Sequence, residues 1–259
     1  MHPLVHRAMS LFRHASLAVE SHFDRRFLNR DVVTPKHVAH GKWEDHLIER
    51  FNRPGMRVLE VGSREVTGRS QMRARFTEAD YVGFDYYPGP NVDVVGDAHK
   101  LGRHFPKDTR FDLIFTSACF EHFAMPWIVA REMVKLCKVG GHVFVETHFS
   151  FGAHERPWNF FQFSDMGLKV LFPRALGMEC VEAGMSTPMT GRFSALADRR
   201  YRMSPIWGLY CHSEYFGRKV EEVDGFDWTP DALDTLVSNT RYPAPKIETE
   251  TEARTPVDA

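Results

Sequence analysis

The sequence is short of cysteine, of net charge and of long apolar runs, and each shortage closes a line of explanation. Its four cysteines, Cys119, Cys137, Cys180 and Cys211, stand far apart with no C-x-x-C pair. That spacing offers neither a disulfide framework nor a zinc cluster, and it suits a reducing cytoplasm. The formal net charge is −1. Polyanion binders normally carry a basic excess, so nucleic acid is not an expected partner. No stretch is long and apolar enough to span a bilayer, and His6, Arg7, Arg13 and His14 interrupt the N-terminal region. Neither a signal peptide nor integral membrane association is therefore expected. The phosphate-binding fingerprints are missing too: Arg64 stands where G-x-G-x-x-G needs its second glycine, and the next glycine after Gly62 is Gly68, which does not fit G-x-x-x-x-G-K-[ST] either.

What the chain does have is an alternation of short apolar runs with helical patterns. Arg57–Val61, Tyr81–Asp85, Asp93–Gly96, Phe111–Ser117 and Gly141–Thr147 read as strands, and Gly68–Phe76 and Trp127–Cys137 as helices between them. Such alternation predicts an α/β fold with a doubly wound, mostly parallel sheet. Ligands bind such sheets beyond the carboxyl ends of the strands, so the polar residues that end strands matter most. Here they are Glu60 and Gly62, then Asp85, Asp97-Ala98, Ser117 with Glu121-His122, and Glu146-Thr147-His148. An acid at the end of the second strand accepts hydrogen bonds from both hydroxyls of a ribose.

Taken together, Val58-Leu-Glu-Val-Gly-Ser63, Tyr81-Val-Gly-Phe-Asp85, Val94-Val-Gly-Asp-Ala-His99, Phe111-Asp-Leu-Ile-Phe115 with Glu121-His122, and Cys137-Lys-Val-Gly-Gly-His-Val-Phe-Val145 resemble the class I S-adenosylmethionine-dependent methyltransferases. The resemblance covers about residues 55–150 and extends more loosely to about 222. It implies a seven-stranded sheet with helices on both faces and S-adenosylmethionine as cofactor. It further implies that Glu60 and Gly62 meet the methionine end of the cofactor, with the backbone of Ser63 and Arg64 beside it. Asp85 would hold the ribose and Tyr86 would lie along the adenine. Asp97 and Ala98 would contact the adenine edge, and Ser117 would approach the sulfonium through its backbone. The glycine-rich turn is the departure, since Gly62-Ser-Arg-Glu-Val66 replaces G-x-G-x-G.

On the acceptor side, His148, His122 and His154 are the candidate proton acceptors, because a neutral imidazole takes a proton near neutral pH. The loop His154-Glu-Arg-Pro-Trp-Asn-Phe-Phe-Gln-Phe-Ser164 is dense in aromatics. It is expected to wall the acceptor pocket with Trp158, Phe160 and Phe161, with Ser164 capping a helix over Asp165–Leu171. Arg192 is a candidate anion contact. Glu146, His148, His154 and Glu155 carry metal donors, yet no tight spacing such as H-E-x-x-H joins them, so no metal is expected.

Thr116-Ser-Ala-Cys stands where amine-methylating relatives carry Asp/Asn-Pro-Pro-aromatic, so the resemblance favours a hydroxyl acceptor on a small molecule or glycan intermediate. A nicotinamide-dependent oxidoreductase and a non-catalytic scaffold of the same fold are the alternatives. Three regions are expected. Residues 1–50 form a helical leader in which Leu4, Val5, Met9, Leu11, Phe12, Leu17 and Val19 recur at helical spacing. Residues 51–225 form the methyltransferase domain, with an acceptor-side insertion at about 150–205. Residues 226–259 form a short helix opened by Thr229-Pro230 and a polar, disordered tail.

Overall fold

A computed structural model describes residues 17, 19–28, 31–66, 68 and 71–229. The start of the expected leader, the helix expected after Pro230 and the tail from Arg241 lie outside them. Seven strands form one mixed sheet in the order β3-β2-β1-β4-β5-β7-β6. They are β1 (Arg57–Val61), β2 (Asp80–Asp85), β3 (Val94–Val95), β4 (Phe111–Ser117), β5 (Cys137–His148), β6 (Met178–Arg192) and β7 (Pro205–Lys219). β1 to β5 pair in parallel, while β7 runs antiparallel to both β5 and β6.

Parallel strands covered on both faces need continuous apolar runs, and β1 and β4 supply them. Because successive side chains point to opposite faces, each strand feeds two cores. Val58, Leu113, Phe115 and Phe144 meet Trp43, Leu47 and Phe51 of α1 (Trp43–Phe51) and Met72 of α2 (Met72–Arg75). Leu59, Ile114, Val143 and Val145 meet Val129 and Met133 of α3 (Pro126–Leu136) and Leu168 and Leu171 of α4 (Asp165–Leu171). The four-residue spacing of Trp43, Leu47 and Phe51 lays one stripe of α1 on the sheet. Each of these side chains contributes about 1.5–3 kcal/mol by leaving water. Residue 50, where the leader was expected to end, lies inside α1.

Two local devices fix the ends of the α3 and α4 helices. The Ser164 hydroxyl accepts from the Gly167 amide at 3.1 Å and caps α4, as its sequence predicts. The buried ammonium of Lys219 donates to the carbonyls of Val134 and Cys137, both at 2.9 Å, and pairs with Glu222 at 2.7 Å, closing the C-terminus of α3.

Two sequence expectations need correction. The helix expected over Gly68–Phe76 is a single turn, Met72–Arg75. The last part of the acceptor-side insertion expected at about 150–205 is sheet: β6 runs from Met178 to Arg192 and β7 begins at Pro205. Pro188 and Gly191 look like breakers, but β6 is an edge strand, where a missing ladder donor is tolerated. β7 residue His212 pairs with His148 on one side and Ser186 on the other, at the level where the parallel strands stop. Beyond that level β6 and β7 continue as a two-stranded arm to the Arg192–Pro205 pair. No helix among the described residues is long and apolar enough to cross a membrane.

Candidate functional site

Strand order reverses between β1 and β4, and the loops after them face each other across the crevice where such sheets bind ligands. Gly62 turns the chain at φ +85°, and its amide and that of Ser63 donate to the Phe84 carbonyl at 2.8 and 3.1 Å. A Cβ on Gly62 would fall 2.6 Å from Cys119 Sγ, so only glycine lets the two loops meet. Glu60 is buried, and its carboxyl accepts from Asn91 Nδ2 at 3.3 Å. Burial pushes its carboxyl up to about 8, so it carries a proton at neutral pH. The Ser63 side chain turns away and donates to the Asn91 carbonyl at 3.0 Å.

Asp85 ends β2 as expected, but its partner is Arg64. The carboxylate accepts from the Arg64 amide and Nε, both at 3.2 Å, and from the Tyr87 amide at 3.0 Å. The guanidinium also lies 5.6 Å from the centre of the Tyr87 ring. Tyr86 next door is exposed and meets Tyr87 edge-on. Asp97 accepts from the His99 amide at 2.9 Å and approaches His99 Nδ1 at 2.7 Å. Burial raises the Asp97 carboxyl, but its bonds to His99 outweigh that and leave it below the usual range. Ala98 follows it, buried.

Across the crevice the polar groups are arranged differently. Ser117 Oγ donates to Glu146 Oε1 at 2.8 Å, and the other Glu146 oxygen lies 2.9 Å from His40 Nδ1. That bond raises the His40 pKa, against the opposing effect of burial. The His40 ring stacks on His212 at 3.9 Å between centroids. Glu121 is fully buried; Thr147 donates to its Oε2 at 2.6 Å. Its Oε1 lies 2.7 Å from His148 Nδ1, a close ion pair. Burial raises the Glu121 carboxyl, and the His148 imidazole and Thr147 hydroxyl more than reverse this, so it stays below the usual range. His122 Nε2 and His154 Nε2 each stand 4.0 Å from the same Glu121 oxygen.

The aromatic loop is tied to this corner by its backbone. The amides of Phe160 and Phe161 donate to the Glu121 carbonyl at 2.8 and 3.2 Å, and the Phe163 amide donates to the His148 carbonyl at 2.9 Å. Phe163 is buried, while Trp158, Phe160 and Phe161 are exposed beside the crevice. The structure thus gathers His122, His148 and His154 and sets the aromatic loop next to them. Arg192 is not gathered: it ends β6 six residues past Ser186, roughly 20 Å along the arm at about 3.3 Å per residue. Sequence reasoning passed over Glu121 as a site residue and missed His40, His212 and Arg64's grip on Asp85. Glu121 carried a signal, since an acid-His pair after the fourth strand belongs to the motif; the others are joined only by folding.

The crevice fits S-adenosylmethionine, with one rearrangement. The Gly62 turn brings backbone amides to the strand tips, and Glu60 offers a buried carboxyl to an ammonium group. Asp97 keeps an oxygen not engaged by His99. A carboxylate has about four acceptor sites. Three donors already occupy Asp85, so a ribose diol held there would have to displace the Arg64 side chain.

A family model described as "Methyltransferase domain" matches residues 36–184. No curated protein matches the sequence. Among solved structures, a Bacillus halodurans C-125 protein superposes at a TM-score of 0.50 with 15% identity, covering 70% of this chain and 100% of the other. The Burkholderia thailandensis 1,6-didemethyltoxoflavin-N1-methyltransferase, solved with 1,6-didemethyltoxoflavin and S-adenosylhomocysteine, gives a TM-score of 0.49 at 17% identity over 83% of this chain and 90% of that one. YcgJ from Bacillus subtilis gives 0.48 at 16% identity, over 70% and 100%. With the matched model spanning more than half the sequence and the strand order and turn geometry in place, the chain belongs to the class I S-adenosylmethionine-dependent methyltransferases.

Proposed function

We propose that this methyltransferase acts on a hydroxyl of a small molecule or glycan intermediate, in the cytoplasm. The observation that carries the reading is the buried Glu121 beside His148 at the tips of β4 and β5, with His122 and His154 converging on it. An acceptor amine attacks once it is neutral and needs little help, whereas a hydroxyl gains about two to four powers of ten from a positioned base. The absence of an Asp/Asn-Pro-Pro-aromatic run at Thr116-Ser-Ala-Cys119 also favours oxygen. All four cysteines are free, in keeping with a reducing compartment.

When bound, S-adenosylmethionine supplies a methyl group already activated on a sulfonium. The protein's part is to hold and orient. In this assignment the Glu60 and Gly62 turn, with the backbone of Ser63 and Arg64, holds the methionine end, and Asp85 the ribose. Tyr86, Asp97 and Ala98 flank the adenine, and the backbone of Ser117 faces the reacting carbon. Trp158, Phe160 and Phe161 orient the acceptor, and Arg192 is left with acceptors long enough to reach along the arm. His148 would take the proton of the acceptor hydroxyl, and the Glu121 carboxylate would stabilise the imidazolium that forms. Bringing the reacting atoms to about 3 Å accounts for roughly 7–11 kcal/mol of barrier lowering.

The test uses the full chain, a methyl-labelled donor and acceptor panels of phenols and sugars on one side and amines on the other. Label on oxygen, located by carbon NMR of the product, is the expected outcome. A product methylated on nitrogen would overturn the hydroxyl assignment.

A further inference from the structure

We propose that the Glu121 corner is a binding site for a divalent transition-metal ion of the zinc class, held by Glu121, His148 and His154 with His122 as a fourth donor. The inference rests on reading this corner as the acceptor site and adds what binds there. One donor atom from each of Glu121, His148 and His154 lies within 4.8 Å of the other two. His122 Nε2 stands 4.0 Å from the shared Glu121 oxygen, and its ring centre is 4.9 Å from that of His154. One carboxylate and three imidazoles form a donor set that zinc, cobalt and nickel favour.

The outer hydrogen bonds point the same way. His122 Nδ1 lies 2.8 Å from the Trp158 carbonyl, and His154 Nδ1 lies 2.9 Å from the Gly152 carbonyl. A carbonyl only accepts, so in both rings Nδ1 is a donor, which in a neutral imidazole leaves the lone pair on Nε2. Both Nε2 atoms lie 4.0 Å from Glu121 Oε1. A backbone carbonyl behind each imidazole is the arrangement that orients metal-bound histidines.

The third sign is burial: Glu121 is fully buried, and its Oε1 lies 2.7 Å from His148 Nδ1, so a carboxylate and an imidazole nitrogen already sit side by side at the corner. Donors about 2.0–2.1 Å from a tetrahedral ion are spaced by roughly 3.3–3.4 Å. The spacings of 2.7 Å and 4.0 Å from Glu121 Oε1 bracket that value, and the donors of Glu121, His148 and His154 all lie within 4.8 Å of one another. His122 sits beside the exposed Glu155, 3.9 Å from its carboxylate, where an acceptor oxygen would replace one ligand. A metal ion there holds that oxygen and lowers its proton affinity, a role otherwise left to the imidazole of His148.

The experiment strips the full-length protein with chelator and titrates it with cobalt(II) and then zinc chloride, following the visible absorption of tetrahedral cobalt and the heat of zinc binding. One equivalent of cobalt, displaced by zinc, is expected. H154A should weaken binding at least about 100-fold and H122A about tenfold, while H212A should leave it unchanged; E121Q is a second variant, checked for folding by circular dichroism. No cobalt spectrum, or one that H154A and H122A leave intact, overturns the site. The titration uses neither acceptor nor methyl donor, so it fails separately from the hydroxyl reading. O-methylation undiminished in chelator would sink the ion alone, and a cobalt spectrum with an amine product would support the ion and sink the hydroxyl.

Discussion

On the half of the crevice built by β1 to β3, Asp85 accepts three hydrogen bonds from its own chain and Asp97 is held by His99. On the half built by β4, β5 and β7, Glu121 and His148 are buried side by side as a 2.7 Å ion pair, with His122 and His154 each 4.0 Å from the same oxygen. The first half is satisfied by its own chain, so a ligand there would exchange partners and be weakened by whatever it displaced. The second crowds three imidazoles around one carboxylate with two of them held off, so a ligand there would displace less.

The comparison is broken most directly at His148. His148→Ala should lower turnover on the hydroxyl acceptor by about two to four powers of ten while the cofactor Kd stays within about twofold. Steady-state rates alongside calorimetry check it, and an unaltered rate at saturating acceptor would remove His148 from the chemistry. Asp85→Ala should weaken cofactor binding by about 100-fold, equal to about 2.7 kcal/mol, with the melting temperature of the free protein little changed. Unchanged affinity in calorimetry would dismiss the ribose assignment.

A pH series probes the satisfied half without mutation. Glu60 is pushed up to about 8 by burial, so it is protonated in the free protein at pH 6 to 7. Meeting the ammonium of the methionine end requires its ionised form, so the bound state holds fewer protons than the free state. Affinity should thus rise with pH, by up to about tenfold per unit below 8, and level off above it. Glu60→Gln should flatten the profile, and a slope that persists in that variant would assign it to another group. The smallest effect is at Arg64. Arg64→Ala removes the group that competes for Asp85 and should tighten cofactor binding by about three- to tenfold; weaker binding would mean that the guanidinium grips the cofactor rather than blocking it.

The sheet was legible because its strands are continuous apolar runs ended by acids or glycines, a pattern that tertiary packing reinforces. β1, β2 and β4 lie within a residue of the expected spans, and Ser164 caps its helix. Where packing decided against local signals, the reading failed. Pro188 and Gly191 read as an insertion but sit in an edge strand, and the helical pattern from Gly68 forms only one turn. At the site, single residues were legible and their pairings were not. Arg64 was visible as the residue in glycine's place, but its bond to Asp85 depends on β1 and β2 being neighbours. Glu121 and His148 come together because β4 and β5 are neighbours, a fact of topology that no spacing encodes.

The arm formed by β6 and β7 bears on how this enzyme admits its acceptor. Its ladder runs unbroken from the sheet edge except where the register slips, at Cys180–Glu182 and at Met189–Gly191. The arm is braced rather than free, because the Phe27 ring packs 4.8 Å from that of Trp207 on β7, and Gly191 stands beside the outer slip near its tip. An acceptor small enough to stop at the histidines would never touch that tip, whereas an elongated one would lie along it. Molecular length would then be read at a distance from the reacting atoms.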